Sequence, residues 1–199
     1  MGFAAGEATA PLLGPEVDAT RSWAPHRRAE FMLGRECARR ALAELGVPPA
    51  PILFDEEGAP NWPVDVVGSI SHKREKCVAV VARSSQFWGL GVDLERDVEE
   101  PAEDEIIRRV CATPMELAQA RALRTRFHSP GTLFLAVKEA YFKLQFPLTR
   151  LRIDWDDVEV TFGTDTFVAR QVAVGSLQAV PGVFVVEAGW LFALAVRAK

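Results

Sequence analysis

The chain has 199 residues, a hydrophobic fraction of 49% and a formal net charge of −4, enough to bury a sizeable core in one domain or in two small lobes. The mild acidity argues against a general nucleic-acid binder. No segment is long enough to span a bilayer, and the N-terminus lacks the basic flank and continuous apolar run of an export signal. Three cysteines, Cys37, Cys77 and Cys111, are odd in number and show no repeated metal spacing, which points to a reducing compartment, the cytoplasm.

A loose N-terminal region precedes a helix from about His26 to Leu45, closed by Gly46 and the prolines behind it. Phe31, Ala38, Leu42 and Leu45 make its buried stripe. Arg35 and Arg39 stand four apart on one face, an arginine row that reads equally well as a solvated face. After the turn-rich stretch VPPAPILFDEEGAPNWP, VDVVGSIS, KCVAVVARS and FWGLGVDLE read as one sheet joined by short loops. Residues 97–128 read as helical, with Thr113, Pro114 and Glu116 marking one start as N-cap, first-turn proline and capping-box acid. The next helix runs from about Gly131 to Phe146 and stops before Pro147. DDVEVTF, TFVARQVAV, GVFVVEA and WLFALAVRA then look like antiparallel strands separated by Gly, Asp and Pro turns. Each half thus offers a helix followed by a meander. The economical layout is α+β, two similar helix-plus-antiparallel-sheet lobes over residues 1–90 and 91–199, with the Asp93 strand and the Lys138 helix meeting at the cleft.

Charge falls in blocks. Residues 21–40 hold six arginines against two glutamates, residues 93–105 eight acids and one arginine, and residues 108–126 five arginines and one glutamate. Such alternation suits an anionic ligand and an acidic protein partner.

In GLGVDLE, an apolar strand ends in Asp93 and Glu95, two residues apart and so on one face. A hard divalent cation, normally magnesium, is their natural partner; the bland alternative has one capping a turn and the other facing water. Glu139, in the helical run LAVKEAYFK, strengthens the metal reading, because three carboxylates on separate elements can hold one magnesium that also bridges substrate phosphates. Lys138 and Lys143 in the same run either meet phosphate or snorkel from an apolar helix, and Lys143 reads as the mainly structural one, an i,i+4 partner of Glu139. GSISH places His72 at a strand end, as a phosphate contact or a satisfied loop histidine. Ser69 and Ser71 lack the GxSxG elbow of a nucleophile, and neither a dinucleotide GxGxxG nor a Walker lysine loop is present.

GSISH, GVDLE and the KEAYFK segment, in this order and at these separations, resemble the Sfp/EntD-type 4'-phosphopantetheinyl transferases, and HRRAEFMLGRECARRALAELGVPPAPIL resembles the N-terminal part of their EntD-like branch. The resemblance covers the chain from about residue 25 to its end. It implies two similar lobes and transfer of the phosphopantetheinyl arm of coenzyme A onto a serine of an apo acyl or peptidyl carrier protein, releasing 3',5'-ADP. By that resemblance Asp93, Glu95 and Glu139 are the magnesium set, with manganese a possible substitute. Glu139 is also the candidate base, directly or through a metal-bound water. Lys138 and His72 contact coenzyme A phosphates, while Arg27 and Arg35 form the nucleotide-phosphate clamp with Arg39 as a weaker member. The EntD-like resemblance tilts toward siderophore or antibiotic assembly, and a two-lobed chain able to complete the site by itself is expected to be a monomer. Two positions depart from the pattern: Phe54 stands where Lys or Arg is common, and Leu135 where an aromatic is usual. The competing expectations are a magnesium-dependent coenzyme A pyrophosphate hydrolase and a non-catalytic coenzyme A or carrier-binding protein.

Overall fold

In a computed structural model of the chain, which describes residues 2–6, 10–74, 76–98, 102–172 and 179–199, the segment ahead of the first long helix is structured rather than loose. Strand β1 (Gly2–Gly6) pairs antiparallel with Cys77–Val81, and a six-residue helix, α1 (Gly14–Ala19), follows. A Gly- and Ala-rich strand has no alternation to read, and α1 is too short to hold itself. Its anchor is Glu16, whose carboxylate accepts bonds from the backbone amides of Leu13 and Ile52 and from Arg39, all at 2.9 Å.

Helix α2 (Pro25–Glu44) begins with proline in its first turn, where the missing N–H costs nothing. It ends in a Schellman motif: Gly46, at φ 68°, donates to Ala43 O at 2.9 Å, and Val47 donates to Leu42 O at 3.0 Å. Leu33, Cys37, Ala38, Ala41 and Leu42 pack against Ile52, Val66, Cys77, Ala79 and Val81. The sheet beneath comprises β1, β2 (Val66–Lys73) and β3 (Lys76–Arg83), antiparallel in the order β1-β3-β2. As the central strand, β3 reads CVAVVA in a continuous buried run.

Strand β4 (Phe87–Arg96), expected beside β2 and β3, instead opens a second sheet in the order β4-β8-β7-β6-β5. The other members are β5 (Val158–Phe162), β6 (Thr166–Gln171), β7 (Val180–Glu187) and β8 (Trp190–Ala198). The last two residues expected in the β6 strand, 173 and 174, lie outside the described residues. Among the described residues, the expected helical run over 97–128 is two helices, α3 (Glu103–Val110) and α4 (Pro114–Leu123); its residues 99–101 lie outside the described residues. The break comes where Pro114 holds Thr113 extended, at φ −110° and ψ 153°. Helix α5 (Pro130–Thr149) runs past Pro147 instead of stopping before it. A proline in the final turn forfeits only its own amide bond, and Arg150, at φ 60°, closes the end by donating to Phe146 O at 2.9 Å.

By contacts the chain divides into two units, Met1–Leu90 with Ala198–Lys199, and Gly91–Arg197. In the second, Leu133, Phe134, Val137, Ala140, Tyr141 and Leu144 of α5 are buried among residues of α3, α4 and the inner faces of β5–β8. Each unit is therefore helix packed on antiparallel sheet, α+β in both cases. Among the described residues no helix is long and apolar enough to cross a membrane.

Candidate functional site

Gly91, Asp93 and Glu95 alternate onto one face of β4. That face lies against α5 because Gly91 has no side chain: a Cβ there would overlap Ala140 O and lie 2.7 Å from Leu144 N. Two residues on, Asp93 is 5% exposed, and its Oδ1 accepts a bond from Lys143 Nζ at 2.6 Å. Glu139 sits one turn before Lys143 on the same helix face. It is half-buried, and its Oε1 accepts a bond from Trp155 Nε1 at 3.1 Å. Glu95 is half-buried near the end of β4.

The second unit thus brings Asp93 to Lys143 on the face of α5 that carries Glu139. Among the described residues no three His, Cys, Asp or Glu side chains are arranged to hold a metal ion, so the three carboxylates are not gathered around one point. The donor chemistry still suits a hard divalent cation: all three are carboxylates, and the most buried of them already holds a cation, the Lys143 ammonium, at hydrogen-bond distance.

Lys138 does not lie where the sequence pattern puts it. It is 1% exposed. Its Nζ is 3.0 Å from Glu116 Oε1 and donates to Trp155 O at 2.9 Å. Glu116, wholly buried, also accepts bonds from the amides of Val160 and Ala112 at 2.9 Å and of Thr113 at 3.3 Å. Neighbours on an α-helix project about 100° apart; Lys138 and Glu139 meet Trp155 at different groups, its carbonyl and its indole N–H, whereas Lys143, four residues on, shares the Glu139 face. The i,i+4 spacing was the available signal for Lys143.

In the first unit a pocket of 530 Å³ is lined by Trp23, Arg27, Phe31, Arg35, Phe54 and His72, among others. Trp23 and Phe54 stack, with centroids 5.3 Å apart and planes at 28°, and Phe31 stands edge-on to both. The Arg27 guanidinium lies 4.6 Å from the Trp23 ring centroid. Arg35, 7% exposed, lies 3.9 Å from the centroid of Phe31, but its Nε donates to Ile52 O at 2.6 Å and its Nη2 to Leu53 O at 3.3 Å. Burial pulls its pKa down to about 10. It holds the wall that ends in Phe54. Arg39 is outside the pocket, bound to Glu16 and to Pro11 O at 3.3 Å. Of the expected clamp, Arg27 alone presents an exposed guanidinium to the pocket, joined there by His72, exposed on β2. Trp23 and Phe54 come from segments without periodicity, which is why no pattern paired them.

Among the described residues, the cysteines and the GSISH serines are poorly placed to act as nucleophiles. Cys37, Cys77 and Cys111 are unbridged and buried, and burial pushes the Cys111 thiol up to about 12. Ser69 and Ser71 are buried on β2.

Two family profiles match the chain: the 4'-phosphopantetheinyl transferase N-terminal domain over residues 16–82, and the 4'-phosphopantetheinyl transferase superfamily over residues 89–179. The chain is 41% identical over 170 residues to the 4'-phosphopantetheinyl transferase Svp of Streptomyces mobaraensis, covering 82% of this chain and 68% of that protein. It is 35% identical over 170 residues to the 4'-phosphopantetheinyl transferase PptT of Mycobacterium tuberculosis, covering 82% and 74%. With enterobactin synthase component D of Salmonella typhi it shares 32% over 130 residues, covering 65% and 53%. Among solved structures, the holo-ACP-synthase of Plasmodium yoelii superposes with a TM-score of 0.42 at 18% identity, covering 57% of this chain and 95% of that one. With profiles matching both units and two transferases similar over most of their lengths, the chain belongs to the 4'-phosphopantetheinyl transferases, coenzyme A-dependent enzymes that modify apo carrier proteins.

Proposed function

We propose that in this enzyme Asp93, Glu95 and Glu139 hold a magnesium ion, which manganese can replace, and that Lys143, rather than Lys138, is the lysine that meets the pyrophosphate of coenzyme A. The observation that carries this reading is the 2.6 Å contact between Lys143 Nζ and Asp93 Oδ1 on the helix face bearing Glu139. A bound divalent cation supplies charge neutralisation on the pyrophosphate oxygens. Lys143 donates to a phosphate oxygen; within the first unit, Arg27 and His72, beside Trp23 and Phe54, suit an anionic nucleotide. Glu139 accepts the proton of the carrier serine, whose Oγ attacks the phosphorus bearing pantetheine. The bond from that phosphorus to 3',5'-ADP breaks, and the cationic side chains stabilise the charge that gathers on the leaving group. Arg35 positions the wall carrying Phe54, and Arg39 supports α1.

The carrier presents an acidic helix beside its serine, and the exposed Arg108 and Arg121 suit it. Likeness to enterobactin synthase component D favours a carrier from siderophore or antibiotic assembly. Three unbridged cysteines favour the cytoplasm. A single chain supplies every named residue, which favours a monomer, and the reaction calls on neither nucleic acid nor membrane.

The test is to incubate the purified protein with coenzyme A and a panel of apo carriers and weigh the intact carriers. Gain of one phosphopantetheinyl group, lost on chelation and restored by magnesium or manganese, is the expected result. Asp93→Ala should cut the rate by at least about 100-fold while folding is retained; full activity with ordinary magnesium dependence would overturn the metal assignment. Coenzyme A cleavage without carrier labelling would establish the hydrolase instead.

A further inference from the structure

Asp93 and Glu139 are held by different kinds of donor. Asp93 Oδ1 accepts from the Lys143 ammonium at 2.6 Å, whereas Glu139 Oε1 accepts from the indole N–H of Trp155 at 3.1 Å. An indole donates only and carries no charge. It can therefore fix the direction of a carboxylate without neutralising it, and the full negative charge stays available to a cation.

The indole is itself held in place. Trp155 opens the short 3-10 turn Trp155–Asp157, and its carbonyl accepts from Lys138 Nζ at 2.9 Å. That ammonium is anchored in turn by the wholly buried Glu116, 3.0 Å away. The chain leading into the turn is tied at Leu151, whose carbonyl accepts from Gln145 Nε2 at 2.8 Å. Asp157 Oδ2 accepts from the amide of Asp154 at 2.9 Å, closing the turn, and the Arg109 guanidinium lies 4.8 Å from the indole centroid. Lys138, Glu139 and Gln145 all belong to α5. The helix that supplies the carboxylate thus also supports the donor that orients it. With only two side-chain torsions to settle, an indole on so anchored a backbone has little freedom to leave Glu139.

We propose that Trp155 is a positioning residue for the divalent cation of this enzyme: its indole N–H orients the Glu139 carboxylate and thereby sets the affinity for the metal. Loss of such a donor to a ligating group typically costs about 10–100-fold in metal affinity. The inference rests on the reading of Glu139 as a metal ligand.

The experiment titrates manganese into the purified protein with coenzyme A present and no carrier, so that binding is measured without turnover, and reads the free ion by electron paramagnetic resonance. The proteins compared are the natural chain, Trp155→Phe, Trp155→Leu, Glu139→Gln and the Trp155→Phe/Glu139→Gln double variant, each checked for folding by urea unfolding. Trp155→Phe keeps a ring beside Arg109 and loses the N–H. It should raise the manganese dissociation constant by about tenfold, as should Trp155→Leu, and Glu139→Gln at least as much. In the Glu139→Gln background, Trp155→Phe should change the constant by less than about twofold, because the two residues act as one unit. A natural constant in Glu139→Gln would remove Glu139 from the metal site, and the inference would fall with that reading. If Glu139→Gln weakens binding while Trp155→Phe leaves it natural, Glu139 remains a ligand and the positioning role is refuted, whether or not Trp155→Leu or a lowered urea midpoint shows that the ring matters for packing. An equal loss from Trp155→Phe with and without Glu139 would likewise refute it, since Trp155 would then act elsewhere.

Discussion

Lys138 and Glu139 are adjacent in sequence and differ in their partners. Lys143 reaches Asp93 and Glu139 accepts from the Trp155 indole, while Lys138 closes a buried knot with Glu116, the amides of Ala112, Thr113 and Val160, and Trp155 O. Removing one partner of a buried ion pair strands the other charge, so Lys138→Met should cost about 3–5 kcal/mol in urea unfolding. Adding Glu116→Gln should recover part of that loss, because it removes the stranded charge while its one carbonyl oxygen keeps the amides on one side and its NH2 group leaves the other, Val160 N or Ala112 and Thr113 N, without an acceptor. The double variant should keep the natural KM for coenzyme A. A tenfold rise in KM in the folded double variant would return Lys138 to the phosphate. At this scale the sequence supplied residue types and spacing: GVDLE and the KE pair pointed to an acidic, phosphate-handling site. Which lysine serves it depends on the partners that fold around the helix, and Glu116 looked only like a capping-box acid. The arginines repeat the lesson, since Arg35 and Arg39 share a helical face with Arg27's neighbours yet end on carbonyls and on Glu16.

Helices were legible where period and punctuation agreed, as in α2 with its proline start and Gly46 stop, or α4 with its capping box. Strands were legible as strands, but their partners were not. β4 reads as a third member of the first sheet and instead pairs in the second, because strand partnership is a tertiary choice that alternation does not encode. The glycine that permits the contact between β4 and α5 makes a test at this scale. Gly91→Ala inserts a methyl into the Ala140 carbonyl and the Leu144 amide, which should cost about 1–3 kcal/mol. It should also push Asp93 away from Lys143, so transfer should drop by more than stability predicts at a temperature where the variant remains folded. Natural activity in a folded Gly91→Ala protein would show that strand and helix need not be so close.

Over the whole chain, α+β lobes and a phosphopantetheinyl transferase could be read from order and spacing, while the use of each charge could not. The basic block over residues 108–126 is exposed throughout but divided: Arg124 pairs with Asp104, Arg126 with Asp165, and Arg109 covers Trp155 at 4.8 Å, whereas Arg108 and Arg121 make no such contact among the described residues. If Arg108 and Arg121 steer an acidic carrier, Arg121→Glu should lower kcat/KM for the carrier by about tenfold at low salt, the gap closing as salt rises, with KM for coenzyme A unchanged. A salt-independent effect, or none, would exclude a steering role. A different pair of charges carries the longest consequence. Glu16 and Glu116 each occupy the third position of a short helix and are wholly buried, and each accepts an amide from a distant segment, Ile52 or Val160, at 2.9 Å. Each also meets a cation on its unit's 20-residue helix, Arg39 or Lys138. The two units thus carry the same latch. Changing either member of a latch alone strands a buried charge, so each can be rewritten only by two substitutions together, and a drifting lineage is steered around these positions rather than through them.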